Sequence, residues 1–244
     1  GQAMGHAGDP NVRTPVMDRL AREGASFCRA YANCPICTPS RGSMFSGRHA
    51  HAGPVAFFFD NYKACAPSTA TILREQGYHT AYFGKWHCGT VRDQKPPEVR
   101  AHPDAYKGVN TRTPERHRAG FQDWYAFENL NQHFASYYYK NEDVNPTKLD
   151  GYETDGLTDA VMEYLKAYDR DEPLFLVLSV TPPHFPLIVP EQWKRLHPES
   201  LTVRPNFAEN AHMRECLANY YAMIENLDWN MGRLMDRLGR LERF

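Results

Sequence analysis

The stretch Leu174–Val180 constrains the fold most, because nearly every side chain in it is apolar. The run is too short to cross a membrane, which takes about 20 apolar residues. It has the length of a strand that is covered on both faces, and we expect it at the centre of a sheet. A helix is predicted just before it, over about 154–168, with Leu157, Val161 and Leu165 on one face.

Helices and strands alternate along the rest of the chain as well. Helices are predicted over 16–23, 70–76 and 211–241, and strands over 25–31 and 77–87. This order predicts an α/β fold, a three-layer α/β/α sandwich with a mixed, mostly parallel sheet. Ligands of such folds gather at the carboxyl ends of the strands, so polar residues that follow predicted strands are candidates for a site.

Cys37 is the first of these candidates. Prolines and a serine surround it in Cys34-Pro-Ile-Cys-Thr-Pro-Ser-Arg41, which predicts a turn leading into a short helix over about 40–46. The unpaired N–H groups at a helix N-terminus favour anions. Arg41 lies one turn further on, where its guanidinium could hold a charged oxygen. A nucleophile and an anion site therefore coincide in this segment.

Two other interpretations of Cys37 remain open from the residues alone. A cysteine among small residues is often a buried and inert hydrophobe. Alternatively, Cys28, Cys34 and Cys37 could bind zinc together with His49 and His51, although this segment lacks the second ligand pair of a zinc finger.

Further candidates follow the other two predicted strands. Lys85 can present a positive charge to an anionic oxygen, and His87 can hold or protonate a leaving oxygen. His184 lies in Pro-Pro-His-Phe-Pro, after the apolar run. Taken singly, Lys85 would be a solvated surface residue, and the two histidines would be packed structural residues.

Three other segments carry weaker signals. The pair Asp60-Asn61 could bind calcium or magnesium through its oxygens, but an Asx turn is the favoured interpretation. Residues 90–120 are rich in proline and charge and are predicted to form a long surface loop. The aromatic residues of 121–139 are expected to pack in the core, and we expect substrate choice to depend on this segment.

Composition narrows the possible classes of protein. A chain of 244 residues is predicted to form a single domain. Its net charge of −1 gives no basis for a general nucleic-acid surface, and no apolar run is long enough for a membrane span. The six cysteines show no regular disulfide framework, and the sequence leaves the cellular compartment open.

Three motifs together resemble the type I sulfatases, a family of the alkaline-phosphatase-like superfamily. The first is Cys37-Thr-Pro-Ser-Arg41, followed by Ser46-Gly47-Arg48. The second is Gly77-Tyr-His-Thr-Ala-Tyr-Phe-Gly-Lys-Trp-His87, in which Cys88 stands where the family usually has leucine. The third is the Pro-His-x-Pro element around His184.

The resemblance implies hydrolysis of a sulfate ester, borne by a sulfated small molecule or glycan. In the family, the residue matching Cys37 is oxidised to formylglycine by a formylglycine-generating enzyme, and its hydrate is the nucleophile. Arg41 would orient this hydrate, while Lys85, His87 and His184 would contact the sulfate. The formylglycine would also be a ligand of a divalent cation, for which calcium is expected and magnesium or manganese are alternatives.

The resemblance also implies that residues 1–244 form part of a sulfatase catalytic domain. The first core strand and the C-terminal strand that carry the acidic metal ligands are not found in the sequence, so this chain alone is expected to be inactive. Two other functions remain open. The first is hydrolysis of phosphonate monoesters or phosphodiesters within the same superfamily, and the second is a non-catalytic binding module.

Overall fold

The computed structural model describes residues 2–58, 60–64, 66–89, 112–207 and 210–240. Within these residues it has five α-helices and five strands. The helices are α1 (Pro15–Glu23), α2 (Cys37–Ser46), α3 (Thr69–Glu75), α4 (Glu153–Ala167) and α5 (Ala211–Leu238). The strands are β1 (His79–Lys85), β2 (Asp123–Phe127), β3 (Tyr137–Lys140), β4 (Thr147–Lys148) and β5 (Leu174–Ser179).

The strands form one mixed sheet in the order β4-β3-β2-β1-β5. Strand β1 pairs in parallel with β2 on one side and with β5 on the other. Strand β3 runs antiparallel to β2, and β4 runs antiparallel to β3. The parallel part of the sheet thus brings the ends of β1 and β5 together at one edge, where a site is expected.

Both faces of β1 are covered, because its side chains alternate between two cores. Tyr82 packs on one face in a cluster that includes Phe45 of α2 and Ala70 of α3. Ala81 and Phe83 face the other side, which is covered by α4 and, further along the chain, by α5. This arrangement is the expected α/β/α sandwich.

Strand β5 differs from its prediction in one respect. It lies at the edge of the described sheet, where β1 is its one neighbour, and all six of its side chains are half-buried. The apolar pattern correctly indicated a strand with two covered faces. The apolar pattern does not predict how many neighbouring strands a strand has. That number depends on backbone hydrogen bonds to residues far along the chain.

The strand predicted over 25–31 is wrong. These residues leave α1 as an irregular, exposed segment, in which Phe27 is 83% and Tyr31 is 85% exposed. A strand needs a partner for its backbone N–H and C=O groups, and this segment pairs with no strand in the described sheet.

Helices α1, α4 and α5 confirm their predictions. Two hydrogen bonds join the first turn of α1 to α5. The N–H groups of Val16 and Met17 donate to the Asp228 carboxylate of α5, at 3.1 and 2.8 Å. The side chain of Thr14, the N-cap residue, does not cap the helix, because it accepts from the Gly5 N–H and donates to Asp18. The cap of α1 therefore comes from another helix.

Two of the weaker predictions can be compared with the structure only in part. The Asp60 carboxylate accepts from the N–H groups of Ala56 and Phe57, which is consistent with a turn. Most of the predicted loop, residues 90–111, lies outside the described residues, whereas 112–120 includes a short 3-10 helix at Glu115–His117. Across the described ranges, no helix is both long and apolar enough to span a bilayer.

Candidate active site

Helix α2 begins at Cys37 itself, three residues earlier than predicted. Ile36 is the N-cap with extended backbone, so Cys37 lies in the first turn, where backbone N–H groups lack helical partners. The Cys37 side chain is half-buried and carries a free thiol. The structure thus places the candidate nucleophile at the anion-favouring end of a ten-residue helix.

Arg41 connects α2 to the ends of two strands. Its guanidinium donates to the Lys85 carbonyl at 2.7 Å and to the Ser179 hydroxyl at 2.9 Å. The hydroxyl of Tyr82 also donates to the Lys85 carbonyl, at 2.5 Å. These bonds fix the nucleophile helix relative to the end of β1.

Lys85 is the last residue of β1 and is only 3% exposed. Its ammonium donates to the Asn131 side-chain oxygen at 3.4 Å. Burial, with the positive charge of Arg41, lowers the pKa of Lys85 to about 8, against opposing effects of Cys37 and Glu153. Lys85 is therefore a buried cation close to Cys37, not the solvated residue that its type alone indicates.

The backbone has left-handed φ angles on both sides of Lys85, at Gly84 and at His87. Gly84 has a φ of 93°, and a Cβ there would lie 2.0 Å from the Ser179 carbonyl oxygen, so glycine is required. His87 has a φ of 55°, a left-handed conformation that is uncommon for residues other than glycine. Such conformations are maintained where the surrounding structure determines them, often at functional sites.

His87 is the most unusual side chain of the site. It is 1% exposed, yet neither ring nitrogen has a hydrogen-bond partner among the described residues. Burial, together with the charges of Lys85, Arg41 and His184, lowers the pKa of its imidazole to about 3. Buried polar atoms are rarely left unpaired, so the neutral imidazole is prepared for a ligand.

His184 follows β5 on an exposed turn. Its Nδ1–H donates to the Phe185 carbonyl at 2.8 Å, which leaves Nε2 as the nitrogen that can exchange a proton with a ligand. Because β5 runs parallel to β1, the turn that follows β5 lies at the same edge of the sheet as the end of β1. The structure thus brings Cys37, Arg41, Lys85, His87 and His184 to one region.

Three polar residues in this region were missed from the sequence. Asn131 bonds to Lys85, and the fully buried pair Glu153 and His133 lies behind His184. No sequence signal distinguishes them, because Glu153 has the appearance of an ordinary acidic residue in the first turn of a helix. Their burial depends on contacts across the fold.

The described residues do not form a complete metal site. No group of three histidine, cysteine or acidic side chains within them could hold a metal ion, and this includes the zinc set around Cys37. His49 and His51 stack on each other instead, with ring centroids 5.7 Å apart. A cation bound through Cys37 would need ligands beyond these residues.

The sequence profile described as Sulfatase matches residues 1–243. The chain belongs to the sulfatase family. The ulvan-active sulfatase of Formosa agariphila is 34% identical to this sulfatase chain, over 99% of the chain and 45% of that protein. The endo-4-O-sulfatase of Bacteroides thetaiotaomicron is 28% identical, over 96% of the chain and 49% of that protein.

A solved structure gives the same result for the fold. A 4S-sulf protein from the metabolism of multiple glycosaminoglycans by Bacteroides thetaiotaomicron superposes with a TM-score of 0.82 and 26% identity. The superposition covers 98% of this sulfatase chain and 52% of that structure. The chain therefore spans about half the length of the relatives that it matches.

Proposed function

We propose that the protein containing this chain hydrolyses sulfate esters, with formylglycine formed from Cys37 as the nucleophile. The observation that carries the proposal is the buried His87, whose ring nitrogens have no partner in the described part of the chain and which experiences the positive charges of Lys85 and Arg41. A buried cation, a neutral imidazole and a helix N-terminus at one edge of the sheet favour a small tetrahedral anion.

The chemistry follows from these positions. One hydroxyl of the Cys37-derived hydrate attacks sulfur and releases its proton to water. The S–O bond to the alcohol breaks, and the alcohol oxygen takes a proton from Nε2 of His184. The second hydroxyl then gives its proton back to Nε2 of His184, the bond between the hydrate carbon and the sulfate oxygen breaks, and the aldehyde re-forms as sulfate departs. Addition of water to the aldehyde restores the hydrate. An unmodified cysteine or serine would remain as a stable sulfated enzyme, which is why an aldehyde is needed.

Lys85 and His87 have different parts in this scheme. With a pKa of about 8, Lys85 is mostly charged at neutral pH and stabilises the negative oxygens of the sulfuryl group. His87, with a pKa of about 3, is neutral and can donate one hydrogen bond without adding charge. Arg41 orients the hydrate through the position of α2.

The proposed substrates are sulfated glycans, because two of the similar proteins are named as an ulvan-active sulfatase and an endo-4-O-sulfatase. A formylglycine-generating enzyme would convert Cys37 before the protein acts. A divalent cation, calcium in the first place, would bind the formylglycine together with ligands beyond the described residues. Such a cation would lower the pKa of the hydrate hydroxyl when bound.

Mass spectrometry of the Cys37 peptide and kinetics of the full-length protein test the proposal together. Conversion to formylglycine removes about 18 Da from the cysteine peptide, as expected for an aldehyde nucleophile. The full-length protein should release sulfate from an aryl sulfate, and Cys37→Ala should abolish this release. Faster cleavage of the matching aryl phosphonate would instead indicate a phosphonate hydrolase. Binding of a sulfated glycan without any hydrolysis would indicate a binding module.

A further inference from the structure

A buried carboxylate lies directly behind the turn that carries His184. Glu153, the first residue of α4, is 0% exposed. Its carboxylate accepts from the Thr181 N–H at 2.7 Å and from the Ser136 hydroxyl at 3.1 Å. One of its oxygens is also 3.6 Å from Nδ1 of His133.

His133 connects Glu153 to the turn that carries His184. It is also 0% exposed, and its Nε2–H donates to the His184 carbonyl at 3.0 Å. Its own carbonyl accepts from the Glu153 N–H at 2.7 Å. A backbone hydrogen bond therefore joins Glu153 and His133, and their side chains lie next to each other.

The two residues bind the two ends of one short turn. Glu153 holds Thr181, where the chain leaves β5, and His133 holds His184, three residues later. Within the turn, the His184 N–H donates to the Thr181 carbonyl at 3.0 Å. The position of the His184 backbone, from which the ring extends, thus depends on contacts with α4 and with His133.

We infer that Glu153 and His133 are positioning residues, which fix the turn at Thr181–His184 so that Nε2 of His184 faces the leaving oxygen. This inference rests on the proposed function. The negative charge of Glu153 also acts on Lys85, where it opposes the effect of burial on the lysine pKa. One carboxylate therefore supports two of the candidate groups.

Burial of such a pair in a core has an unfavourable free energy. A fully buried carboxylate loses its hydration and must recover it from hydrogen bonds, and well-packed apolar residues often replace buried ion pairs without loss of stability. A purely structural turn would not need the charge, whereas a turn that must hold a proton donor in one orientation gains from such strong anchoring.

The test uses the full-length formylglycine-containing protein and two aryl sulfates, one with a good and one with a poor leaving group. Glu153→Gln keeps the volume but removes the charge, and His133→Leu removes the bond to His184. Both should lower kcat for the poor leaving group about 10- to 100-fold and for the good one less than about threefold, because only the poor one needs the proton. KM should change little.

His133→Gln is the conservative control, since its amide N–H can replace the Nε2–H of histidine, and it should restore kcat to within about threefold of the wild type. His79→Gln is the matched control for loss of a buried histidine far from the site, and it should affect both sulfates equally. Equal losses for both sulfates in Glu153→Gln and His133→Leu, in proportion to their lost stability, would overturn the inference.

A second measurement separates this inference from the proposed function. If the wild type hydrolyses no sulfate ester, the proposed function fails, and the ring ¹⁵N signals of His184 then decide the inference in histidine-labelled full-length protein. A shift of these signals in His133→Leu but not in His133→Gln supports positioning of the ring. Unchanged His184 signals in both variants would overturn it.

Discussion

Two histidines lie at opposite ends of strand β1, and they differ in their partners rather than in their burial. His79 is 5% exposed and donates to the Asp123 carboxylate at 2.7 Å. The same carboxylate oxygen accepts from the Tyr164 hydroxyl at 2.7 Å. His87 is 1% exposed, and neither of its ring nitrogens has a partner among the described residues.

The difference shows what separates a structural from a functional histidine in this fold. At His79 a carboxylate satisfies the ring, as expected for a buried polar group. At His87 the nearest charges are positive, and they make protonation of the ring still harder. Burial is thus common to both. A ring without a partner among the described residues, under the influence of positive charges, supports the proposed anion site at the carboxyl end of the strand.

The largest expected effect is on catalysis. In the full-length protein, His87→Asn should lower kcat/KM for a sulfate ester by about 10² to 10³, the usual loss when one group that stabilises a transition state is removed. His79→Asn should leave kcat/KM within about threefold of the wild type. Similar losses in both variants would show that the two ends of β1 do not differ in function.

For the free energy of unfolding, replacement of His79 should have the larger effect and replacement of His87 the smaller one. His79→Leu removes a hydrogen bond to a carboxylate and should lower the free energy of unfolding by about 2 to 3 kcal/mol. His87→Leu removes an unpaired polar group and should change it by less than about 0.5 kcal/mol, or raise it. Urea unfolding curves of the two variants measure both values, and a larger loss in His87→Leu would contradict the assignment.

Titration of His87 should change the free energy of unfolding by about 2 kcal/mol between pH 7 and pH 5. The pKa of His87 is about 3 in the folded protein, against 6.5 for an unperturbed histidine, so the unfolded chain binds the proton more readily. Stability should therefore fall as pH drops below 6.5, by about 2 kcal/mol at pH 5 from this residue. His87→Asn should lack this part of the decrease in urea unfolding at pH 7 and pH 5.

The smallest expected effect is on the pKa of His87, through its contact with the Phe58 ring. The Phe58 ring meets the imidazole edge-on, with centroids 5.4 Å apart. Such contacts contribute about 0.5 to 1.5 kcal/mol. Phe58→Leu should let water reach the ring and raise the His87 pKa by less than about one unit, which an NMR titration of the histidine can measure. Phe134→Leu, at another exposed phenylalanine, is the matched control.

The sequence was informative where the signal is local. Helix α3 has Ser68 as its N-cap with a capping box, and β1 lies within the strand predicted over 77–87. The edge position of β5 and the exposed course of 25–31 were not predictable, because strand pairing depends on distant residues. These outcomes separate what a short segment determines from what the assembled fold determines.

The site follows the same division. The motifs identified Cys37, Lys85 and His87 by residue type and spacing, and the structure brings them to one end of the sheet. The contacts behind them were missed, because Glu153 and His133 become distinctive only when α4 packs against the end of β5. Residue types predict which groups can react, and packing determines how they are held.

The cap of α1 has a consequence for synthesis of the protein. Met17 and Asp228, which form one of its bonds, are 211 residues apart in the chain. At a typical translation rate the ribosome needs about 10 to 40 seconds to make the residues between them. Throughout that interval the N–H groups of Val16 and Met17 lack the Asp228 carboxylate, so the final anchoring of α1 must follow the emergence of α5.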